Sequence, residues 1–277
     1  MHFRRFTDAD RALPFLGSTE FRADRWRNEH TRSTVLEDDG GAVAAGIMWT
    51  SRVHGDRYWA RIAVAPQARR LGHGTAVFRH LSALRAAPLT FMARGYVDDA
   101  ALGFADALGA RTIQLVPPAI ISPAAHGSLR RHPSIRGVAE VAWDRVLAAN
   151  AATYAWTHAA WSPVAAAFAE PLSEDLADEV DSDASSVAVV AGEIRALVLV
   201  YRDSTPVLTA ETTAAHTADG ERLVEGAVRR SLEVLAGRGV RTVEFDGHIS
   251  DPHFLPVWAR LAPQGRWFRI VEVPAAD

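Results

Sequence analysis

Hydrophobic and polar residues alternate along this chain with two periods, and the changes of period mark its elements. In the first half, strands are predicted at residues 33–40, 41–53 and 57–66, and Pro66 ends the third because proline cannot donate to a sheet ladder. A helical region interrupted near Pro14 and Gly17 is predicted before them, over residues 8–30. The remaining segments predict, in order, a helix, a strand, a helix and a strand: 69–84, 89–96, 98–109 and 111–116. This order indicates an α/β (α+β) domain.

The second half repeats the order of elements. Residues 116–137 are rich in Pro, Gly and Ser and have no clear period, so they are interpreted as a connection between domains. An Ala-rich helical stretch follows, and then strands and helices in the order of the first half. We therefore expect two domains, residues 1–135 and 136–277, each a mixed, largely antiparallel sheet flanked by helices.

Composition narrows the class of protein. The 277 residues are 48% hydrophobic and 23% charged, as in a globular protein. The net charge of −3 weighs against nucleic acid or an anionic membrane as a partner. The charged start and the short apolar runs predict neither a secretion signal nor a membrane span, so a cytoplasmic protein is the simplest expectation. The chain has no cysteine and no lysine, which excludes disulfides, thiolate sites and lysine Schiff bases.

The most informative segment joins the third strand to the next helix. It reads Val64-Ala65-Pro66-Gln67-Ala68-Arg69-Arg70-Leu71-Gly72-His73-Gly74-Thr75, an R-x-x-G-x-G pattern. Glycines allow positive φ and let an anion approach the backbone, and the N–H groups of a helix N-terminus favour that anion. Arg69 and Arg70 would neutralise its charge. The pattern predicts a pyrophosphate site, whereas a merely structural turn would use the same glycines without a ligand.

This segment resembles the acetyl-CoA pyrophosphate loop of the GNAT superfamily of acyl-CoA N-acyltransferases. Residues 98–110 resemble a second pattern of the family. Asp98 takes the position of an asparagine in that pattern, and four other residues fit it: Ala101, Phe104, Leu108 and Gly109. Ala105 stands where the family often has a tyrosine that donates a proton to the departing CoA thiolate. Tyr96, at the end of the preceding strand, is a candidate substitute.

The resemblance implies a larger coenzyme site. The family holds pantetheine on a bulge-splayed strand, which maps here to Ile62, Ala63 and Val64. Acetyl-CoA, as co-substrate, would then contact the following residues: Ile62, Ala63, Val64, Arg69, Arg70, Leu71, Gly72, His73, Gly74, Thr75 and Asp98. No metal ion is expected, because the histidines show no ligand spacing.

A second copy of the template lies in the second half, without the loop chemistry. Residues 251–261 overlay residues 98–108 at an offset of 153, and residues 219–224 overlay the loop at an offset of 150. Asp219 replaces Arg69, and Arg222 and Val224 replace the two glycines. Acidic side chains there would repel a pyrophosphate. The resemblance therefore implies one coenzyme site, in the first domain, and a degenerate second domain.

The general base is not fixed by the sequence. Many relatives have a glutamate on the third strand, but residues 58–62 contain no carboxylate. Candidates elsewhere are His54 in the hairpin, Glu211 on the equivalent strand of the second copy, and four residues of the predicted helical region: Glu20, Asp24, Glu29 and His30. Each is also compatible with an ordinary surface or interface role.

The leading hypothesis is an N-acetyltransferase that transfers the acetyl group of acetyl-CoA to an amine of a small molecule by direct attack. A catalytically inactive acyl-CoA-binding protein is an alternative, consistent with Ala105 and with the missing carboxylate. Acetylation of a protein or peptide is a further alternative. The resemblance leaves open whether the protein is a monomer or a homodimer.

Overall fold

The computed structural model describes residues 1–17 and 20–276. The chain divides into two compact units, one formed by Met1–Ile113 with the segment from Ile270 onward, the other by Gln114–Arg269. The strands are β1 (His2–Arg5), β2 (Arg32–Asp38), β3 (Gly41–Thr50), β4 (Arg57–Val64), β5 (Thr90–Tyr96), β6 (Arg111–Val116), β7 (Ile120–Ile121), β8 (Ile135–Gly137), β9 (Ser186–Val190), β10 (Glu193–Tyr201), β11 (Val207–Thr212), β12 (Val243–Asp246) and β13 (Phe268–Val273). The α-helices are α1 (His73–Ala83), α2 (Ala100–Ala107), α3 (Trp143–His158), α4 (Ala169–Ser173), α5 (Leu176–Glu179), α6 (Gly220–Gly237) and α7 (Phe254–Leu261).

The first unit is a mixed sheet with helices against it. Among the described residues the strand order is β1-β2-β3-β4-β5-β13-β6. β1 to β4 pair antiparallel, and β5 lies parallel to β4. Helix α1 buries Val77 and Leu81 against one face of this sheet. Gly46 of β3 allows that approach, because a Cβ there would lie 2.4 Å from Val77.

The predicted helical region over residues 8–30 is wrong. Among the described residues of this region only a short 3-10 helix, Asp8–Ala12, forms, and the other described residues are irregular. Polar side chains satisfy the backbone in place of helical bonds: Asp24 accepts from the N–H of Ser33 at 2.9 Å, and Thr31 donates to the carbonyl of Asn28 at 2.8 Å. The described part of this segment, residues 13–17 and 20–31, is called the front loop below. It covers the opposite face of the first sheet, where Leu16 and Phe21 are buried.

The second unit repeats the arrangement. Its described strands are ordered β7-β12-β11-β10-β9-β8, with β12 parallel to β11. Helix α6 packs on one face and buries Leu223, Val228 and Leu232 in the core. No helix in the described part of the chain has the length and apolar character that a membrane crossing requires.

One strand crosses between the repeats. β13, expected as the last strand of the second domain, lies instead in the first sheet between β5 and β6. Glu272 on β13 accepts hydrogen bonds there from Arg57 at 2.5 Å and from Arg111 at 2.8 Å. The segment 114–135, expected in the first domain, lies in the second unit. The compact units therefore divide at residues 113 and 270 rather than at 135.

Candidate active site

The loop between β4 and α1 leaves the sheet through a tight turn. The N–H of Ala65 donates to the carbonyl of Val43 at 2.9 Å, which continues the pairing of β4 with β3 by one residue. Pro66–Ala68 then form a single 3-10 turn. Two residues that follow have left-handed backbone, Arg70 at φ 65° and Gly72 at φ 86°. A Cβ on Gly72 would meet nothing within 4 Å, so its exposed side is open.

Helix α1 presents unpaired N–H groups at this opening. Its first backbone hydrogen bond runs from the N–H of Ala76 to the carbonyl of Gly72, at 3.0 Å. The N–H groups of His73, Gly74 and Thr75 therefore have no acceptor within the helix. Together with the helix dipole they form a site that favours an anion.

The side chains of the loop fit the same ligand. Arg69 and Arg70 are exposed beside the helix start, and Nε of Arg69 donates to the carbonyl of Val64 at 3.3 Å. Leu71 is 68% exposed at the tip, whereas His73 is buried. The loop thus presents the backbone N–H of His73, not its ring. Two arginines beside free N–H groups suit a pyrophosphate.

Helix α2 packs directly behind this loop. A Cβ on Gly74 would lie 3.3 Å from the ring of Phe104. Ala105, the position of the family tyrosine, is buried in the core of the unit. Asp98 is exposed ahead of the helix, and its neighbour Asp99 accepts the N–H of Tyr96 at 2.9 Å. The second predicted motif therefore supports the loop mainly through packing.

β4 and β5 part beside the loop. They pair from Arg57 opposite Thr90 to Trp59 opposite Met92, and no further, although β4 continues to Val64. We call this V-shaped opening the first fork. The pairing of β4 with β3 continues without a register shift, so the strands part without the bulge in β4 that the family resemblance implied.

Beyond Trp59, the edge of β4 that pairs with no strand faces into the first fork. Because the N–H of Ala65 points to β3, the alternation of a strand turns the N–H and C=O groups of Ile62 and Val64 the other way, toward the fork. An extended ligand can pair with this edge as another strand would. The groups of Ala63 point to β3. The predicted coenzyme segment thus contributes backbone groups from alternate residues.

Charged and aromatic side chains line the face of the first fork that the front loop covers. Trp59 stacks on Trp49 with ring centroids 6.4 Å apart. Arg61 and Arg94 both form ion pairs with Glu20, a residue of the front loop. Sequence reasoning missed Arg94 and its pairing with Glu20, because nothing local in the sequence marks the point where β5 leaves β4.

The predicted catalytic residues are spread over the molecule. Tyr96 ends β5 at the open end of the first fork and is 40% exposed. His54 is buried in the turn before β4, and Glu29 is exposed in the front loop next to His30, whose ring lies 3.3 Å from the hydroxyl of Tyr58. Both lie toward the end of β4 where the strands are still paired. Glu211 belongs to the second unit.

A second fork exists in the second unit, and its own residues fill it. β11 and β12 pair only from Val207 opposite Glu244 to Thr209 opposite Asp246. This register gives offsets of 150 for β11 and 154 for β12, so Thr212 corresponds to Ile62. The N–H of Thr212 donates to the carboxylate of Asp251 at 2.7 Å. The backbone edge that is free in the first unit is therefore occupied in the second.

The helix start of the second unit is blocked as well. Asp219 precedes α6 with φ 56°, and a Cβ on Gly220 would lie 2.7 Å from the ring of His253. His253 and Asp251 belong to one segment, residues 247–253, which we call the plug. The plug supplies a carboxylate to the strand edge and a ring to the helix start. The plug therefore occupies the strand edge and the helix start that are open in the first unit.

Side-chain contacts join the plug to β11 and α3. The N–H and Nδ1 of His248 both bond to the carboxylate of Glu211, and Nε2 of His248 lies 3.2 Å from Nε2 of His158. Nδ1 of His158 donates to the carbonyl of Tyr154 at 2.9 Å. Because both Nδ1 atoms face oxygen acceptors, a hydrogen bond between the facing Nε2 atoms needs a third proton, which would give the pair one positive charge.

The titration of these groups follows from their surroundings. Burial lowers the pKa of His248, but the charge and hydrogen bond of Glu211 outweigh it and raise the pKa above the ordinary 6.5. Burial raises the pKa of Asp251, against its hydrogen bonds from the N–H groups of Thr212 and His253. Burial also raises the pKa of Asp246. The Glu211 that was a candidate base is thus committed to His248.

Comparisons with known proteins agree with this geometry. Residues 4–109 match the acetyltransferase (GNAT) family. This match covers most of the first unit, Met1–Ile113 with the segment from Ile270 onward. No curated protein matches the sequence.

Solved structures extend the likeness to the whole chain. A GCN5-related N-acetyltransferase from Sphaerobacter thermophilus has a TM-score of 0.58 and 16% identity, covering 88% of this chain and 82% of its own. A tandem GNAT protein from the clavulanic acid biosynthesis pathway has a TM-score of 0.57 and 16% identity, covering 89% and 83%. A probable N-acyltransferase from Enterococcus faecalis has a TM-score of 0.52 and 14% identity, covering 89% and 64%. The fold is that of a tandem GNAT protein.

Proposed function

We propose that this protein is an N-acetyltransferase that uses acetyl-CoA and acetylates the amine of a small molecule. The supporting observation is the combination, in the GNAT domain only, of an open fork with an open helix start. The pyrophosphate would bind the N–H groups of His73, Gly74 and Thr75, with Arg69 and Arg70 beside it. The pantetheine would pair with the edge of β4 at Ile62 and Val64.

The chemistry follows from that placement. The amine nitrogen attacks the acetyl carbonyl carbon, a C–N bond forms, and the C–S bond breaks with its electron pair on sulfur. The backbone N–H of Ile62 would stabilise the developing oxyanion. The nitrogen loses one proton to water, and the thiolate gains one from Tyr96, which is re-protonated from solvent. We assign no base to Glu29 or His54, because they lie where β4 and β5 are paired.

Coenzyme binding tests the site. Gly72→Val should abolish the thermal stabilisation by acetyl-CoA, because a β-branched residue resists φ 86° and would project into the opening. Gly239→Val is the matched control, since Gly239 has φ 76°, also meets nothing within 4 Å and lies in the second unit. Gly220 is unsuitable, because a Cβ there would clash with His253. Equal loss of binding in both variants would refute the site.

Turnover tests the reaction. Release of free CoA is measured across a panel of small amines and a panel of peptides. CoA release that depends on a small amine supports the proposal. Stabilisation by acetyl-CoA without release identifies an inactive binder, and acetylation of peptides alone identifies a protein acetyltransferase. The chain has no lysine, so acetyl-lysine cannot arise from the protein itself.

A further inference from the structure

Two guanidinium groups flank the first fork. Arg61 is the second residue beyond the last β4–β5 pair on one strand, and Arg94 is the second residue beyond it on the other. Both lie on the face of Trp59, and Cζ of Arg94 is 5.4 Å from the centre of its ring. Like charges on neighbouring strands repel one another. An anion between the two arginines would relieve this repulsion.

Glu20 of the front loop supplies that anion. Its carboxylate pairs with Nε of Arg61, and its Oε1 lies 3.4 Å from another nitrogen of Arg61 and 3.8 Å from Arg94. The three side chains are 30–47% exposed. Ion pairs this exposed are held weakly, because water screens them. A carboxylate from solution can therefore take the place of Glu20.

The second unit provides an internal comparison. In the second fork, the offset of 150 places Glu211 at the position of Arg61. The offset of 154 places His248 at the position of Arg94. These two side chains have opposite charge, pair with each other and are 9% and 23% exposed. The two charged side chains of the second fork thus pair with each other. The open fork carries two cations and depends on a carboxylate from elsewhere.

We propose that the acceptor is an amine that also bears a carboxylate, bound between Arg61 and Arg94 by displacing Glu20. This inference rests on the proposed transferase function and names its substrate class. A carboxylate is favoured over a phosphate because the group that bridges the arginines is itself a carboxylate. The stacked Trp49 and Trp59 beside the arginines form an aromatic wall for the rest of the acceptor.

Matched acceptors test the proposal. CoA release is measured at saturating acetyl-CoA with amino acids, their amides, the decarboxylated amines and phosphoethanolamine. We expect kcat/KM to be about ten- to a hundredfold higher with the carboxylate present, as for a charge-assisted hydrogen bond. Equal kcat/KM across each series, or a preference for the phosphate, would overturn the proposal.

Variants separate the roles of the three residues. Arg61→Gln and Arg94→Gln should raise KM for amino acids more than KM for the decarboxylated amines, so that the ratio of kcat/KM between the two series falls. Arg111→Gln is the control, since β13 separates β6 from β5. Glu20→Gln should lower KM for amino acids, because the competing carboxylate is gone. A loss of kcat with every amine in Glu20→Gln would instead make Glu20 a base and overturn the proposal.

Binding measurements distinguish failure of the carboxylate inference from failure of the proposed transferase function. Calorimetric titration with the same amino acids and amides, without coenzyme, measures the arginine pair directly. Binding of amino acids that is lost in Arg61→Gln supports the pair even if acetyl-CoA is not a substrate. Absence of carboxylate-dependent binding overturns the inference even if acetyl-CoA binds and neutral amines are acetylated.

Discussion

Tyr96 is the residue on which the proposed proton transfer depends. It ends β5, and strand alternation places its side chain on the face of Met92 and Arg94, at the open end of the first fork. The family tyrosine is absent, since Ala105 is buried in the core. The proposed proton donor therefore lies on β5 rather than on α2.

Tyr96→Phe is expected to lower kcat by about a hundredfold or more, the usual contribution of a positioned acid. The affinity for acetyl-CoA should not change, because the phenol hydroxyl is not part of the proposed pyrophosphate loop. Steady-state CoA release and calorimetry measure the two quantities. Tyr201→Phe in the second unit is the control, and a Tyr96→Phe enzyme with more than half of the normal kcat would remove this role.

Residues differ in how far the sequence reveals them. Gly72 and Arg69 could be predicted, because the loop, its preceding strand and its following helix are contiguous in the chain. Arg94 could not, because its meaning depends on a register between strands that is set by the whole sheet. The repeat offers a partial signal, since it aligns Arg94 with His248 once the strand offset is known.

Among the elements, the plug sets the difference between the two units. The plug follows β12, just as the segment between β5 and α2 follows β5. Unlike that segment, the plug turns into the fork between the strands and fills it. The carboxylate of Asp251 is fully buried there and accepts the N–H of Thr212. A buried group of this kind stabilises only while its partners remain in place.

The plug should make stability depend on pH. The folded pKa of His248 lies above its ordinary 6.5, so its charge stabilises the fold fully below about pH 6.5, and this stabilisation is lost as the pH rises through the raised pKa. Each unit of upward shift corresponds to about 1.4 kcal/mol. We expect the free energy of unfolding of the second unit, measured in urea, to fall above pH 6.5.

His248→Gln provides the comparison for that pH series. It should be less stable than the parent below pH 6.5 and should lack most of the decline above it, because no proton is then shared with His158. His216→Gln, a change in a loop of the same unit, should retain the full decline. A parent protein whose stability is constant from pH 6 to 9 would contradict the shared proton.

The front loop shows where prediction of elements fails. Its residues suggest helical spacing, but Asp24, Asn28 and Thr31 bond to nearby backbone groups and compete with helix formation. The strands β2 to β4 and the helix α1 are confirmed, since their apolar positions agree with the faces they bury. Local pattern is thus reliable where burial is regular and fails where side chains satisfy the backbone.

At the scale of the molecule, the exchanged strand determines what can fold. β13 lies between β5 and β6, so the first sheet lacks an interior strand without it. The boundary expected at residue 135 did not foresee this, because strand exchange leaves no mark in local composition. A fragment that ends before β13 exposes two strand edges and loses the ion pairs of Glu272.

Fragments test this dependence. Residues 1–116 alone should be insoluble or fail to bind acetyl-CoA, whereas the same residues joined through a flexible linker to residues 268–277 should recover thermal stabilisation by the coenzyme. Replacing Glu272 with Gln in the joined chain should weaken the recovery, and replacing the exposed Glu193 of the full chain should have no effect. Binding of acetyl-CoA by residues 1–116 alone would contradict the requirement.

The exchange also fixes the order of events during synthesis. The ribosome makes β5 and β6 before the second unit and makes β13 after it. At roughly 5–20 residues per second, the 156 residues 114–269 take roughly 8–30 s to translate. During that time the nascent N-terminal sheet lacks the strand that lies between β5 and β6. The sheet that carries the proposed coenzyme site therefore receives its last strand at the end of synthesis, and a fragment released from a ribosome that stalls within the second unit lacks that strand.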